Sequence, residues 1–171
     1  MATHRSDAGF RAFFESESLT LQRFATFMCG DPDTAADLTQ EAFTLVYKRW
    51  RWLRKAEAPA YVRRTIVNLV RDRQRRELID VRRRAAGTMP VSEPSRAGQV
   101  DDWILVTRAL RQLSPARRAT VVLRFYEDMT EHQIAAVLGR PLGTVKSDLH
   151  RALRDLRQLI EPHSLVVKES K

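Results

Sequence analysis

The segment MTEHQIAAVLGRPLGTVKSDLHRALRDLRQLI, residues 129–160, admits very few folds. Thr130 and Gln133 stand at the T-x-x-Q spacing of a capping box, which satisfies the free amides at the start of a helix. Ile134, Ala135 and Leu138 then repeat with helical spacing and define the buried side of a short helix. Gly139 closes that helix, because the residue just past a helix often adopts a left-handed conformation that glycine takes without a Cβ penalty. Arg140, Pro141 and Leu142 make the turn, and Gly143-Thr144 restarts the chain with Thr144 as the expected second cap. The plan is helix, turn, helix.

Turned by about 100° per residue, the second helix separates into two faces. Val145, Leu149, Ala152, Leu153, Leu156, Leu159 and Ile160 share an arc of about 120° and form the expected core side. Gly143, Lys146, Ser147, His150, Arg151 and Arg154 occupy an arc of about 140° opposite. A solvated basic face is the ordinary explanation of such a set. The cap, the turn and the face pattern together instead favour a helix that enters a DNA major groove, with hydroxyl and imidazole groups reaching base edges and Lys and Arg reaching guanine or phosphate. Upstream, Ser114-Pro115 reads as a cap followed by a first-turn proline, opening a supporting helix with Val121, Val122, Phe125 and Tyr126. Leu105, Val106, Ala109, Leu110 and Leu113 indicate one more helix, giving a four-helix unit with the reading helix last.

The remaining chain is also helical in period, so the expected fold is all-α. Residues 87–98, GTMPVSEPSRAG, cluster Pro, Gly and Ser without any hydrophobic period and read as a flexible linker. Two helical domains are therefore expected at 1–86 and 101–161, joined by a linker at 87–100 and followed by a short tail at 162–171 that holds no recognisable further domain. In the first, Phe10, Phe13, Phe14, Leu21, Phe24 and Met28 make one apolar surface, ended by Gly30-Asp31-Pro32. A second helix is expected from Asp33 or Thr34, with Leu38, Ala42, Leu45 and Val46 inward and Asp37, Gln40, Glu41, Thr44 and Lys48 outward. A third is expected from Pro59, with Tyr61, Val62, Ile66, Leu69 and Val70 inward.

Charge divides this first domain. Residues 1–47 carry three basic and seven acidic side chains, whereas residues 48–84 carry fourteen basic and four acidic ones. RDRQRRE and VRRRA continue a helix whose other face is apolar, which suits a phosphate-tracking helix better than a merely solvated surface. The whole chain has a formal charge of +9, which favours a polyanionic partner. It has no apolar run of membrane-spanning length, and MATHRSDAGF lacks a signal-peptide core, so a cytoplasmic protein without membrane insertion is expected. Cys29, the sole cysteine, reads as a small core residue. His4, His132, His150 and His163 have no metal-ligand spacing with it or with one another, and no phosphate loop is present; no metal, cofactor or catalytic residue is expected, and the chain is not read as an enzyme.

LSPARRATVVLRFYEDMTEHQIAAVLGRPLGTVKSDLHRALRDLR resembles region 4 of the sigma-70 superfamily, and DPDTAADLTQEAFTLVYKRW with AYVRRTIVNLVRDRQRRE resembles region 2. Their order and spacing are similar to those of the small, two-domain extracytoplasmic-function (ECF) sigma factors, of an actinobacterial-like type. The resemblance implies a promoter-reading subunit of RNA polymerase serving a stress or envelope regulon. It implies that Asp37, Leu38, Gln40 and Glu41 dock on the β′ clamp coiled coil, with the β flap a further polymerase contact. Arg64, Asn68, Arg71, Asp72 and Arg75 would engage the minus-10 element, and the loop at 51–58 would hold an unstacked base. Trp50 and Trp52 lie at the start of that loop and are expected mainly in the core. Thr144, Lys146, Ser147, His150 and Arg151 would read the minus-35 element, with Arg154 on phosphate. An anti-sigma factor is the first regulatory partner the resemblance suggests. The competing reading, a stand-alone dimeric repressor, needs a dimer or ligand surface where the first domain instead offers an acidic face followed by a basic helix.

Overall fold

The computed structural model describes residues 2–85 and 101–168, and every regular element in them is helical. The expected linker at 87–100 lies outside the described residues. The N-terminal unit contains α1 (Ala2–Cys29), α2 (Pro32–Arg49), a 3-10 turn at Lys55–Glu57 and α3 (Ala58–Ala85). The C-terminal unit contains α4 (Asp101–Gln112), α5 (Pro115–Phe125), α6 (Glu131–Leu138) and α7 (Leu142–Lys168). Helix α7 thus continues through most of the segment expected as a tail.

Local chemistry sets the boundaries. Gly30 takes φ +78° and ends α1, its amide still donating to the Thr26 carbonyl at 2.7 Å. Asp31 then caps α2 by accepting from the Thr34 amide at 2.8 Å, with Pro32 in the first turn. Helix α2 accordingly begins earlier than Asp33 because the cap is the residue before the proline. The same logic advances α3 to Ala58, with Pro59 in its first turn after the 3-10 turn. In the C-terminal unit Ser114 occupies the cap position of α5 but its side chain makes no capping bond, so Pro115 carries that start.

The core of the N-terminal unit joins Leu21, Phe24 and Met28 of α1 to Leu38, Ala42 and Val46 of α2 and Val62, Ile66 and Val70 of α3. Its upper end is aromatic: the Phe10 ring meets Tyr47 at 4.9 Å and Trp50 at 5.3 Å in edge contacts. Trp50 is buried as expected, whereas Trp52 is 79 % exposed. In the C-terminal unit Leu110, Leu113, Val121, Val122, Leu123, Ile134, Val145 and Ala152 make the core. Phe125 and Leu153, expected to support it, are exposed.

The two units are not merely tethered. Buried residues of both belong to one continuous hydrophobic cluster. Phe27 of α1 packs on Tyr126 at 4.7 Å between ring centres. Arg118 of α5, 1 % exposed, donates to the carbonyls of Leu110 at 2.8 Å and of Leu113 and Arg111 at 3.0 Å, and also to the Met28 carbonyl in the last turn of α1. One guanidinium therefore closes the C-terminal ends of helices from both units.

Candidate nucleic-acid interface

The helix-turn-helix forms as its capping chemistry requires. The Gln133 amide donates to the Thr130 hydroxyl and the Thr130 amide to the Gln133 side-chain oxygen at 2.8 Å, the reciprocal capping box. Gly139 sits at φ +63° and closes α6. Helix α7 starts at Leu142, with the amides of Thr144 and Val145 already donating to the Pro141 carbonyl. Thr144 is thus inside the first turn and is not the cap; Pro141 precedes the helix and its carbonyl begins the ladder.

A buried carboxylate fixes the reading helix. Asp148 receives Arg140 from the turn and lies 3.8 Å from Arg117 of α5, which also reaches Asp155 at 3.2 Å. Turn, support helix and reading helix are therefore held by one ionic network, and this role of Asp148 was not legible in the face pattern. Outward from it, Lys146, His150, Arg151 and Arg154 are exposed, while Thr144 and Ser147 are half-buried. The Ser147 hydroxyl donates to the Thr144 carbonyl at 3.0 Å, and Arg154 lies 3.5 Å from Asp155. The expected minus-35 set shares one face of α7, with His150 and Arg151 its least engaged members.

On α3, Asn68, Arg71, Asp72 and Arg75 are exposed, and with Arg64 they fall in one arc of about 100°. Arg64 differs from its neighbours. Its Nε donates to the Val137 carbonyl and its Nη2 to the Ala136 carbonyl, each at 2.8 Å, so it is engaged with the end of α6. The adjacent Arg63 points inward and pairs with Glu127 at 2.6 Å and Glu17 at 3.2 Å. At about 100° per residue Arg63 falls on the arc of the buried Ile66, Val67 and Val70, so helical period carried a signal for its inward position though none for its partners. The exposed Trp52 belongs to the loop before α3, where an unstacked base was expected.

On α2, Asp37, Gln40 and Glu41 are exposed together, whereas Leu38 is 4 % exposed. Leu38 consequently supports this face from within and cannot itself touch a partner. Gln40 also borders an open groove of about 560 Å³ between α1 and α2, lined by Phe10, Phe14, Phe43 and Tyr47. The Cys29 thiol donates to the Asp31 carbonyl at 3.2 Å, and burial raises its pKa. Among the described residues no helix is long and apolar enough to cross a membrane.

Comparison with known proteins follows this division of faces. The sigma-70 region 2 family matches residues 13–78 and the sigma-70 region 4 family matches residues 104–156. The chain is 36 % identical over 151 residues to the RNA polymerase sigma-E factor of Streptomyces coelicolor, covering 87 % of this chain and 84 % of the relative. It is 31 % identical over 162 residues to the ECF RNA polymerase sigma factor SigL of Mycobacterium tuberculosis, with 88 % of each covered. The chain belongs to the ECF RNA polymerase sigma factors. The sigma factor RpoE in its co-crystal structure with the anti-sigma factor NepR from Bartonella quintana matches this sigma factor with a TM-score of 0.68 at 22 % identity, covering 88 % of this chain and 98 % of the other, a likeness of fold. As a sigma factor with regions 2 and 4, it works with RNA polymerase on promoter DNA to initiate transcription.

Proposed function

We propose that this sigma factor reads a two-part promoter from one polymerase-bound scaffold. Asp37, Gln40 and Glu41 of α2 dock on the β′ clamp coiled coil, with Leu38 packing beneath them, and the C-terminal unit engages the β flap. Asn68, Arg71, Asp72 and Arg75 meet the minus-10 element together with Arg64, once that residue is free of α6. Lys146, Ser147, His150 and Arg151 read minus-35 base edges, and Arg154 contacts phosphate. The carrying observation is the placement of an exposed acidic face and an exposed basic face on successive helices of one unit, α2 and α3, with a second basic face on α7. A stand-alone repressor has no use for the acidic face.

Two weakly held elements give strong combined binding only when their spacing suits the scaffold, so spacer length contributes to specificity. The protein acts by binding and not as an enzyme; its place is the cytoplasm, and an anti-sigma factor is its first candidate regulator. The test is multi-round transcription with purified core RNA polymerase, with and without this protein, on a library of genomic fragments. Discrete new transcripts sharing a two-part upstream sequence are expected. Specific duplex binding without polymerase, and no protein-dependent initiation, would favour a repressor.

A further inference from the structure

The reading face of α7 has a negative charge at its margin. Lys146 Nζ lies 3.9 Å from Oε2 of Glu131, the first residue of α6, and the two side chains are 58 % and 36 % exposed. Local chemistry holds Glu131 there. Thr130 and Gln133 close the capping box around it, and a carboxylate in a first turn is favoured by the positive helix end. Lys146 is held from the other direction, because Arg117, Arg140 and Asp148 fix α7 against α5 and the turn. The start of α6 thus sets an anionic group beside a surface that otherwise presents His150, Arg151 and Arg154 to nucleic acid.

Stability does not account for the pair, since ion pairs this exposed contribute little. Affinity does not account for it either: a carboxylate beside a DNA-facing surface repels phosphate and lowers binding to every sequence. Its effect on Lys146 is of another kind. A lysine ammonium on its flexible stem satisfies any phosphate within reach, a contact that carries no sequence information. With Glu131 beside it the ammonium is drawn toward α6 and partly neutralised, so a phosphate gains less from it. A guanine edge loses less, because O6 and N7 accept directed hydrogen bonds from the donors that Glu131 leaves free.

We propose that Glu131 is a specificity-determining positioning residue of the minus-35 site: it withholds Lys146 from the phosphate backbone and directs its ammonium to a guanine edge. Overall affinity for DNA falls and discrimination between sequences rises, because unfavourable charge against the wrong site is one of the two routes to specificity. The proposal rests on the assignment of α7 to the minus-35 element made above. Glu131 acts through Lys146 and touches no base itself.

The experiment uses the assembled holoenzyme, core RNA polymerase with the full chain, and measures equilibrium binding to two duplexes over a range of salt. One is the promoter obtained from the transcription test, and the other is the same promoter with its minus-35 element scrambled. Glu131→Gln keeps the shape of the side chain and removes its charge. It should bind the scrambled duplex about three- to tenfold more tightly than the parent and steepen the salt slope by about one, while the cognate-to-scrambled ratio falls about threefold or more. A merely structural role would weaken binding to both duplexes. In a Lys146→Ala background the same substitution should leave the ratio unchanged, and Glu131→Asp, which restores the charge, should recover most of the discrimination. Urea unfolding followed by circular dichroism establishes that each variant is folded. Scrambled-duplex affinity that is unchanged or lower in Glu131→Gln, or a ratio that falls equally with Lys146 present or absent, would overturn the proposal. A parent chain that binds the two duplexes alike refutes the minus-35 assignment and the proposal with it; a parent that discriminates, with Glu131→Gln discriminating equally well, refutes the role of Glu131 alone.

Discussion

Replacing Arg118 by methionine should be among the most destabilising single changes in this chain. The side chain is buried, and its guanidinium serves four carbonyls, three around the end of α4 and one at the end of α1. Burial brings its pKa down to about 10, so the group is still cationic at neutral pH and retains its attraction for helix ends. Methionine preserves much of the apolar volume and isolates the loss of the donors. Each buried carbonyl left without a partner costs about 1–3 kcal/mol. Some of these can recover water or share a neighbouring amide, as the Leu110 carbonyl does with the amide of Leu113 at 3.1 Å, so the expected total is about 3–5 kcal/mol. That is a large part of the roughly 5–15 kcal/mol available to a domain. Urea unfolding of the full chain, followed by circular dichroism, reads it directly. Arg118→Lys should fall between the two, because an ammonium keeps the charge but cannot span the same acceptors with a planar fork. A loss below about 1 kcal/mol for Arg118→Met, in a two-state transition with an unchanged slope, would refute the view that this guanidinium closes two helix ends.

The promoter face and the polymerase face should separate cleanly under mutation. Arg151→Ala is expected to weaken cognate promoter binding by about 1–3 kcal/mol in the assembled enzyme and leave a polymerase pull-down unchanged, whereas Glu41→Lys should weaken the pull-down itself; equal pull-down effects would count against the assignment. Asp148→Asn should lower the stability of the C-terminal unit by about 1–2 kcal/mol in urea, the value being discounted because Arg117 and Arg140 are about one-third exposed. Glu127 should titrate above the ordinary glutamate range in a carbon-detected NMR titration: burial raises its pKa, Arg63 opposes that, Glu17 adds to it, and its Oε1 is buried without a hydrogen-bond partner among the described residues. Since the folded pKa is the raised one, the stabilisation linked to Glu127 is complete below its unfolded pKa and is lost as pH rises through the folded value. A midpoint at or below that of an unstructured glutamate would contradict the burial.

What the residues disclosed in advance was what depends on local chemistry. The capping box at Thr130 and Gln133, the left-handed Gly139 and the proline-led starts of α3 and α5 are all short-range devices, and helical period placed Val62, Ile66 and Val70 inward. Errors arose where a local signal had two readings. Thr144 resembles a cap, but Leu142 had already entered the helix; Trp52 resembles a core residue, but the loop before α3 leaves it in solvent. Leu38 belonged to a docking motif and proved to be its underside. Period can place a residue inward, as it does Arg63, but it does not name a distant partner, so neither the Arg63–Glu127 pair nor the reach of Arg118 to Met28 could be read from spacing.

The arginines show why charge was the least transferable of the sequence signals. A formal charge of +9 and a run of fourteen basic side chains in residues 48–84 suggest a surface built for phosphate. Yet Arg63 is buried against carboxylates, Arg64 ends a helix of the other unit, Arg118 closes two more, and Arg117 and Arg140 brace the reading helix through Asp148. Guanidinium suits this work because its planar fork satisfies several carbonyl or carboxylate oxygens at once and sheds water more readily than an ammonium does. Net charge counts all of these groups as if they faced the nucleic acid. The affinity of the protein for DNA should therefore follow the smaller set on α3 and α7 whose side chains are exposed; the salt slope of promoter binding, which counts phosphate contacts, should fall by about one for Arg154→Ala, whereas the buried Arg118 should contribute nothing to it.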